Sequence, residues 1–218
     1  MNNPSVSLSK GSLFSKVSLL LTISFALSAA GAYMGQGITS IGAMIGLGLL
    51  FFFGSFGVRI AAKSSVNAGV FALGAWTFVT GLFLGPTVHH YVASIGPNAI
   101  LVTTLGSAGL MAACGAIGAL SGINFSRLGN FLMIALLGLI VVGIWGIFVP
   151  LSHTVNIAYC IIGIVIFTGF FLVDFFRLAN SENTWDAAFD LTMNIFLDFI
   201  NVLLLVWRLY EALTGSKK

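Results

Sequence analysis

The sequence predicts an all-α polytopic membrane protein with seven transmembrane helices, and three observations carry that prediction. Of the 218 residues, 58% are hydrophobic and only 7% charged, against roughly 25% charged in soluble domains. Nine basic and six acidic side chains cannot cover the surface of a 23.0 kDa globule in water. The apolar residues also fall into runs of about the 17–25 residues that a helix needs to cross a bilayer core. A backbone in hydrocarbon must satisfy its own hydrogen bonds, so each run is expected to be helical.

Residues 1–16 read as a Ser-rich N-terminal cytoplasmic tail with Lys10 and Lys16, residues 17–213 as the seven-helix domain, and residues 214–218 as a short C-terminal tail. The first run is Val17–Gly35. Its basic start and its Ala30-Gly31-Ala32 resemble a signal peptide, but the apolar stretch exceeds the usual length, which favours an uncleaved span. Gln36-Gly37 turns the chain into Ile38–Val58, closed by Arg59 and Lys63. Val66–Leu84 follows and is expected to end at Gly85-Pro86, since proline removes a helix donor. The stretch GPTVHHYVASIGPN then reads as an outer loop holding His89 and His90. Ala99–Leu120, Phe131–Val149 and Val155–Phe176 are the fourth to sixth runs, with Arg127 in the loop between the fourth and fifth and His153 in the loop before the sixth. A hydrophilic connector, Leu178–Ala188, leads to the last run, Phe189–Leu209.

With the N-terminus inside, Lys10, Lys16, Arg59, Lys63, Arg127 and Arg177 all lie on inner segments and the first three outer loops hold no Lys or Arg. The positive-inside rule therefore places the N-terminus on the cytoplasmic side. Seven crossings put Arg208, Lys217 and Lys218 outside. Either the earlier loops prevail, or the last segment dips in and returns. Tyr33, Tyr91, Trp145 and Tyr159 collect at the outer interface as an aromatic belt would. The pairs Gly31/Gly35, Gly42/Gly46, Gly81/Gly85 and Gly118/Gly122 repeat the spacing that lets helices approach closely in lipid. Cys114 and Cys160 lack CxxC or metal spacing and read as buried free thiols.

Several chemistries are excluded by what the runs lack. No span contains a histidine, which removes an intramembrane zinc hydrolase and a Ser-His protease. Lysines occur only at 10, 16, 63, 217 and 218, so no late span offers a Schiff-base amine. There is no phosphate-binding GxxxxGK[ST] loop, and the net charge of +3 is scattered over segment ends, so nucleic acid is no partner. No enzyme activity and no resident cofactor are expected.

What remains is acidic. At 100° per residue, Asp190, Asn194, Asp198, Asn201 and Arg208 fall at about 0°, 40°, 80°, 20° and 0°, one polar stripe on the last run. Asp198 lies eight residues beyond Asp190, roughly 12 Å deeper in the membrane. Asp174 ends the preceding run, with Arg177 at i+3 as an alternative, purely interfacial partner. Acids within spans cost about 2.5–3.5 kcal/mol each by insertion scales and usually face an interior or a water-filled cavity. If the last two spans are antiparallel neighbours, Asp174 and Asp198 meet, and two carboxylates in contact share a proton. Protonated, they clasp; ionised, they repel and offer oxygen ligands to a hard cation such as Ca²⁺. Arg59 is the nearby cation expected to compete for the pair. Broken helices at mid-membrane, as in a proton-coupled transporter, are hinted at only by Gly42–Gly48.

The stretches FTGFFLVDFFR with Asp174, NIFLDFINVLLLVWRLYE with Asp198, 24 residues on, and NFSRLGNFLMIALLGLIVV resemble the Bax inhibitor family of membrane proteins. The resemblance runs from about Ala26 to the end and is most specific in the last third. It implies a central seventh helix wrapped by six others. It also implies an aspartate dyad at Asp174 and Asp198 that gates a pH-sensitive calcium leak, with Arg59 engaging the dyad. The connector SENTWDAAFD and the additional Asp190 depart from the family pattern and bear on selectivity and gating pH. The expected partners are the lipid bilayer, calcium ions and protons. A non-conducting regulator bound to a membrane protease or stress-response complex is the alternative, in which the acids only specify the fold.

Overall fold

The computed structural model describes residues 4–215, with side chains from residue 13 onward. Lys217 and Lys218 lie outside the described residues, as does the side chain of Lys10. Among the described residues there are seven helices and no strand: α1 (Pro4–Gly35), α2 (Ile41–Ser64), α3 (Val66–Ile95), α4 (Pro97–Leu120), α5 (Ser126–Phe148), α6 (His153–Asn180) and α7 (Trp185–Gly215). All seven are long and apolar enough to cross a membrane.

The helices are longer than the apolar runs that announce them. α1 starts within the Ser-rich stretch read as a tail, and the α6–α7 connector shrinks to residues 181–184. Arg59 and Lys63 stand inside α2, and Gly42–Gly48 causes no break there. α7 is a single unbroken helix of 31 residues, about 46 Å at 1.5 Å per residue, so it does not dip and return. Thr184 supports its start, accepting from the Ala187 amide at 3.1 Å through its hydroxyl.

The largest correction concerns α3, which does not end at Gly85-Pro86 but runs on through Pro86 to Ile95. His89 and His90 are therefore helical, though exposed, and His153 opens α6. Pro86 deprives the Leu82 carbonyl of its usual intrahelical donor. That carbonyl faces Gly35, at a crossing where the two backbones touch. A Cα–H···O contact there offers the freed oxygen a neighbour.

The described residues divide into two compact units, the first holding residues 4–90 and 180–196, the second residues 91–179 and 197–215. In the first unit, α1 and α3 run parallel through their glycines. A Cβ on Gly31 would overlap the Phe78 carbonyl oxygen, and one on Gly81 the Ser28 carbonyl oxygen. Only glycine allows so close an approach. α2 lies antiparallel to α3: Phe51 stacks on Trp76, with centroids 6.0 Å apart, and the Trp76 indole N–H donates to the Phe51 carbonyl at 2.8 Å. The first turns of α7 join them, with Phe196 against Phe25 at 5.5 Å and Trp76 at 5.7 Å. Lys16 donates to Asn183 at 3.0 Å and lies 4.7 Å from the centre of the Trp185 ring.

In the second unit, α4, α5 and α6 use the same device. A Cβ on Gly118 would come within 2.6 Å of the Leu172 carbonyl oxygen, and one on Gly169 within 2.8 Å of the Leu132 side chain. Gly42 and Gly46, by contrast, meet no neighbouring helix, and Gly122 ends a turn at φ +72° in open space. Two of the four glycine pairs thus close a helix crossing at both positions, and one at a single position. α7 is the most enclosed of the seven, with 61% of its most apolar window buried against 6% for α2 and α5. The broad apolar faces of α2 and α5, including Phe52, Phe53, Ile134 and Ile147, are left to lipid.

Candidate functional site: a paired carboxylate on the last two helices

α6 and α7 meet in the second unit as antiparallel neighbours. As contacts on α6 advance from Tyr159 to Gly163 to Asp174, their partners on α7 retreat from Arg208 to Leu205 to Asp198. Gly163 sets the spacing, since a Cβ there would stand 2.7 Å from Leu205 Cδ1. The register brings Asp174 and Asp198 together, with their side chains in reach of each other. A hydrogen bond between them needs a proton, because an ionised carboxylate only accepts.

Asp174 is 4% exposed and Asp198 8%. Arg177, one turn along α6, donates to Asp174 Oδ1 at 3.3 Å from a half-exposed position. Asp198 Oδ2 is fully buried and, among the described residues, has no hydrogen-bond partner. One carboxyl of the pair therefore leans on a cation and the other has only its neighbour. A charge on Asp198 would be without compensation, which is among the costliest states a buried side chain can take.

The rest of the polar stripe separates into local arrangements. Arg59 pairs with Asp190 at 2.8 Å in the first unit, where both side chains are nearly half exposed. The cation that the structure places on the dyad is Arg177. Asn194 is half-buried. Asn201 Nδ2 donates to the Leu197 carbonyl of its own helix at 2.8 Å. Arg208 stacks on Tyr159, 5.0 Å from the ring centre. Among the described residues no group of three His, Cys, Asp or Glu side chains could hold a metal ion.

A second cluster of the same unit escaped the sequence. Tyr91, read as part of an interfacial belt, is buried against Trp207 with ring centres 5.8 Å apart. The Trp207 indole N–H and Asn156 Oδ1 are buried without partners among the described residues. Of the expected belt, Tyr33 and Trp145 are exposed. No property of Tyr159 or Arg208 alone signals their contact. Cys114 and Cys160 are buried free thiols, as expected.

Fold and site define a class: a polytopic helical membrane protein with a paired-carboxylate centre on its last two helices. The sequence profile of the family described as inhibitor of apoptosis-promoting Bax1 matches residues 11–216, and the chain belongs to that family. It is 31% identical over 193 residues to an uncharacterized membrane protein of Vibrio cholerae, covering 84% of this chain and 81% of that one. It is 28% identical over 141 residues to Bax inhibitor 1 of Schizosaccharomyces pombe, covering 65% of this chain and 51% of the yeast protein. A protein of Chlamydia muridarum is 27% identical over 164 residues, 72% of this chain and 69% of its own length.

Proposed function

We propose that the chain is a pH-sensitive leak pathway for Ca²⁺ or a similar cation, gated by the Asp174/Asp198 dyad, in a bacterial plasma membrane with its N-terminus cytoplasmic. The observation that carries the reading is the buried approach of the two carboxyl groups to each other, with Asp198 Oδ2 left unpartnered among the described residues. One proton decides between two states of this site. With it, the carboxyls clasp α6 to α7. Without it, two buried anions repel each other and present oxygens to a hard cation. Arg177 compensates only Asp174, so loss of the proton places the uncompensated charge on Asp198. Ca²⁺ takes six to eight oxygens, so water and backbone carbonyls would complete its shell during passage.

The test is calcium flux into dye-loaded proteoliposomes across about pH 5–8, a range open to a buried carboxylate. Wild type is expected to show a flux that changes with pH, and Asp198→Asn and Asp174→Asn a flux that does not. Unchanged pH dependence in both variants would sink the dyad as gate. Flux no higher than in empty liposomes would sink the leak reading and favour the non-conducting regulator.

A further inference from the structure

The first unit holds a charged cavity that the leak reading does not use. It measures about 170 Å³ and is lined by Arg59, Ala62, Lys63, Asp186, Phe189 and Asp190. The two cations stand four residues apart near the C-terminal end of α2, and the two acids four residues apart in the first turns of α7. Residues at this spacing share a helix face, so the cavity has a basic wall and an acidic wall. Arg59 and Asp190 pair across it at 2.8 Å. Lys63 and Asp186, both exposed on the same rim, make no ion pair with each other among the described residues.

We propose that this cavity binds the headgroup of a zwitterionic phospholipid carrying a primary amine, with its phosphate on Lys63 and Arg59 and its ammonium on Asp186 and Asp190. The walls match such a headgroup charge for charge, and net neutrality disfavours a purely anionic one, which the two carboxylates would repel. A primary ammonium has three N–H donors for carboxylates, whereas a quaternary choline has none. At roughly 30 Å³ per water molecule, the volume equals five or six waters, small for a drug-like ligand but sufficient for a headgroup. Its place at the ends of two spanning helices is the depth of lipid headgroups. Phe189 and Ala62 give it an apolar side, and exposed Phe56 and Ile60 extend an apolar surface along α2. None of this rests on the dyad or on conduction.

The experiment is native mass spectrometry of the full chain in detergent, titrated with ethanolamine, choline and glycerol phospholipids of identical acyl chains, with soluble phosphoethanolamine as competitor. Charge-assisted hydrogen bonds predict binding roughly ten-fold tighter for the ethanolamine lipid than for the choline lipid, with the glycerol lipid weaker than the ethanolamine lipid. The preference should vanish in Lys63→Gln/Asp186→Asn, whose exposed positions leave folding intact, as its thermal transition verifies. Equal binding of all three lipids, preference for the glycerol lipid, or a preference that survives the double variant would overturn the proposal. Soluble phosphoethanolamine that binds while the lipid shows no preference would overturn the lipid as the source.

Discussion

Asp198 shows how much one residue can signal and where the signal stops. Its depth in an apolar run marked it as an interior acid, and its burial beside Asp174 agrees. Its partner followed from 24-residue spacing only on the assumption of antiparallel neighbours, which the α6–α7 register supplies. Arg59 was harder to place. A cation at a helix end reads the same whether it faces one acid or another, and the structure gives it to Asp190. The pair is half exposed, and exposed pairs contribute about 0–1 kcal/mol. Arg59→Gln should therefore leave thermal unfolding in detergent nearly unchanged. A loss above about 2 kcal/mol would mean that the pair is far more sequestered than an exposed pair of this kind. Arg177→Gln is the stronger perturbation, because it removes a cation paired with Asp174, and it should alter the pH profile of flux where Arg59→Gln does not.

Helices were legible as helices and poorly legible at their ends. Hydropathy counts apolar residues, but a helix continues into polar ground wherever its last turns find neighbours, as α6 and α7 do around residues 181–184. Pro86 misled for a related reason. Its local cost is visible in sequence, whereas the packing of Gly35 on the Leu82 carbonyl, which lets α3 continue, belongs to another helix. The glycine pairs allow a direct contrast at this scale. Gly81→Leu must push α1 and α3 apart and should destabilise the protein by about 1–3 kcal/mol or more, as overpacked sites do. A Cβ on Gly46 meets nothing within 4 Å, so Gly46→Leu should be neutral or slightly stabilising. Equal melting shifts for the two would disprove the α1–α3 crossing.

For the whole molecule, the family and the seven spans were readable because lipid imposes length and apolarity on every crossing element. Which helix is enclosed was readable in part, since α7 alone carries polar residues along its length. Enclosure also governs the two thiols. Cys114 is 4% exposed and Cys160 fully buried, so neither should react with a maleimide in the folded protein and both should react once it is unfolded in denaturant. Rapid native labelling of Cys160 would contradict the packing of α6.

The parallel crossing of α1 and α3 also has a consequence in time. Gly81 follows Gly31 by 50 residues in the chain, so the groove on α1 is complete long before the helix that fills it has been synthesised. At about 5–20 residues per second, the ribosome needs roughly 2.5–10 s to cover that interval. Throughout it α1 stands in the bilayer, or beside whatever insertion machinery holds it, with a bared strip of backbone along Gly31 and Gly35. A nascent chain stalled between α2 and α3 would be caught in that state, with its first helix inserted and its first helix crossing still unmade.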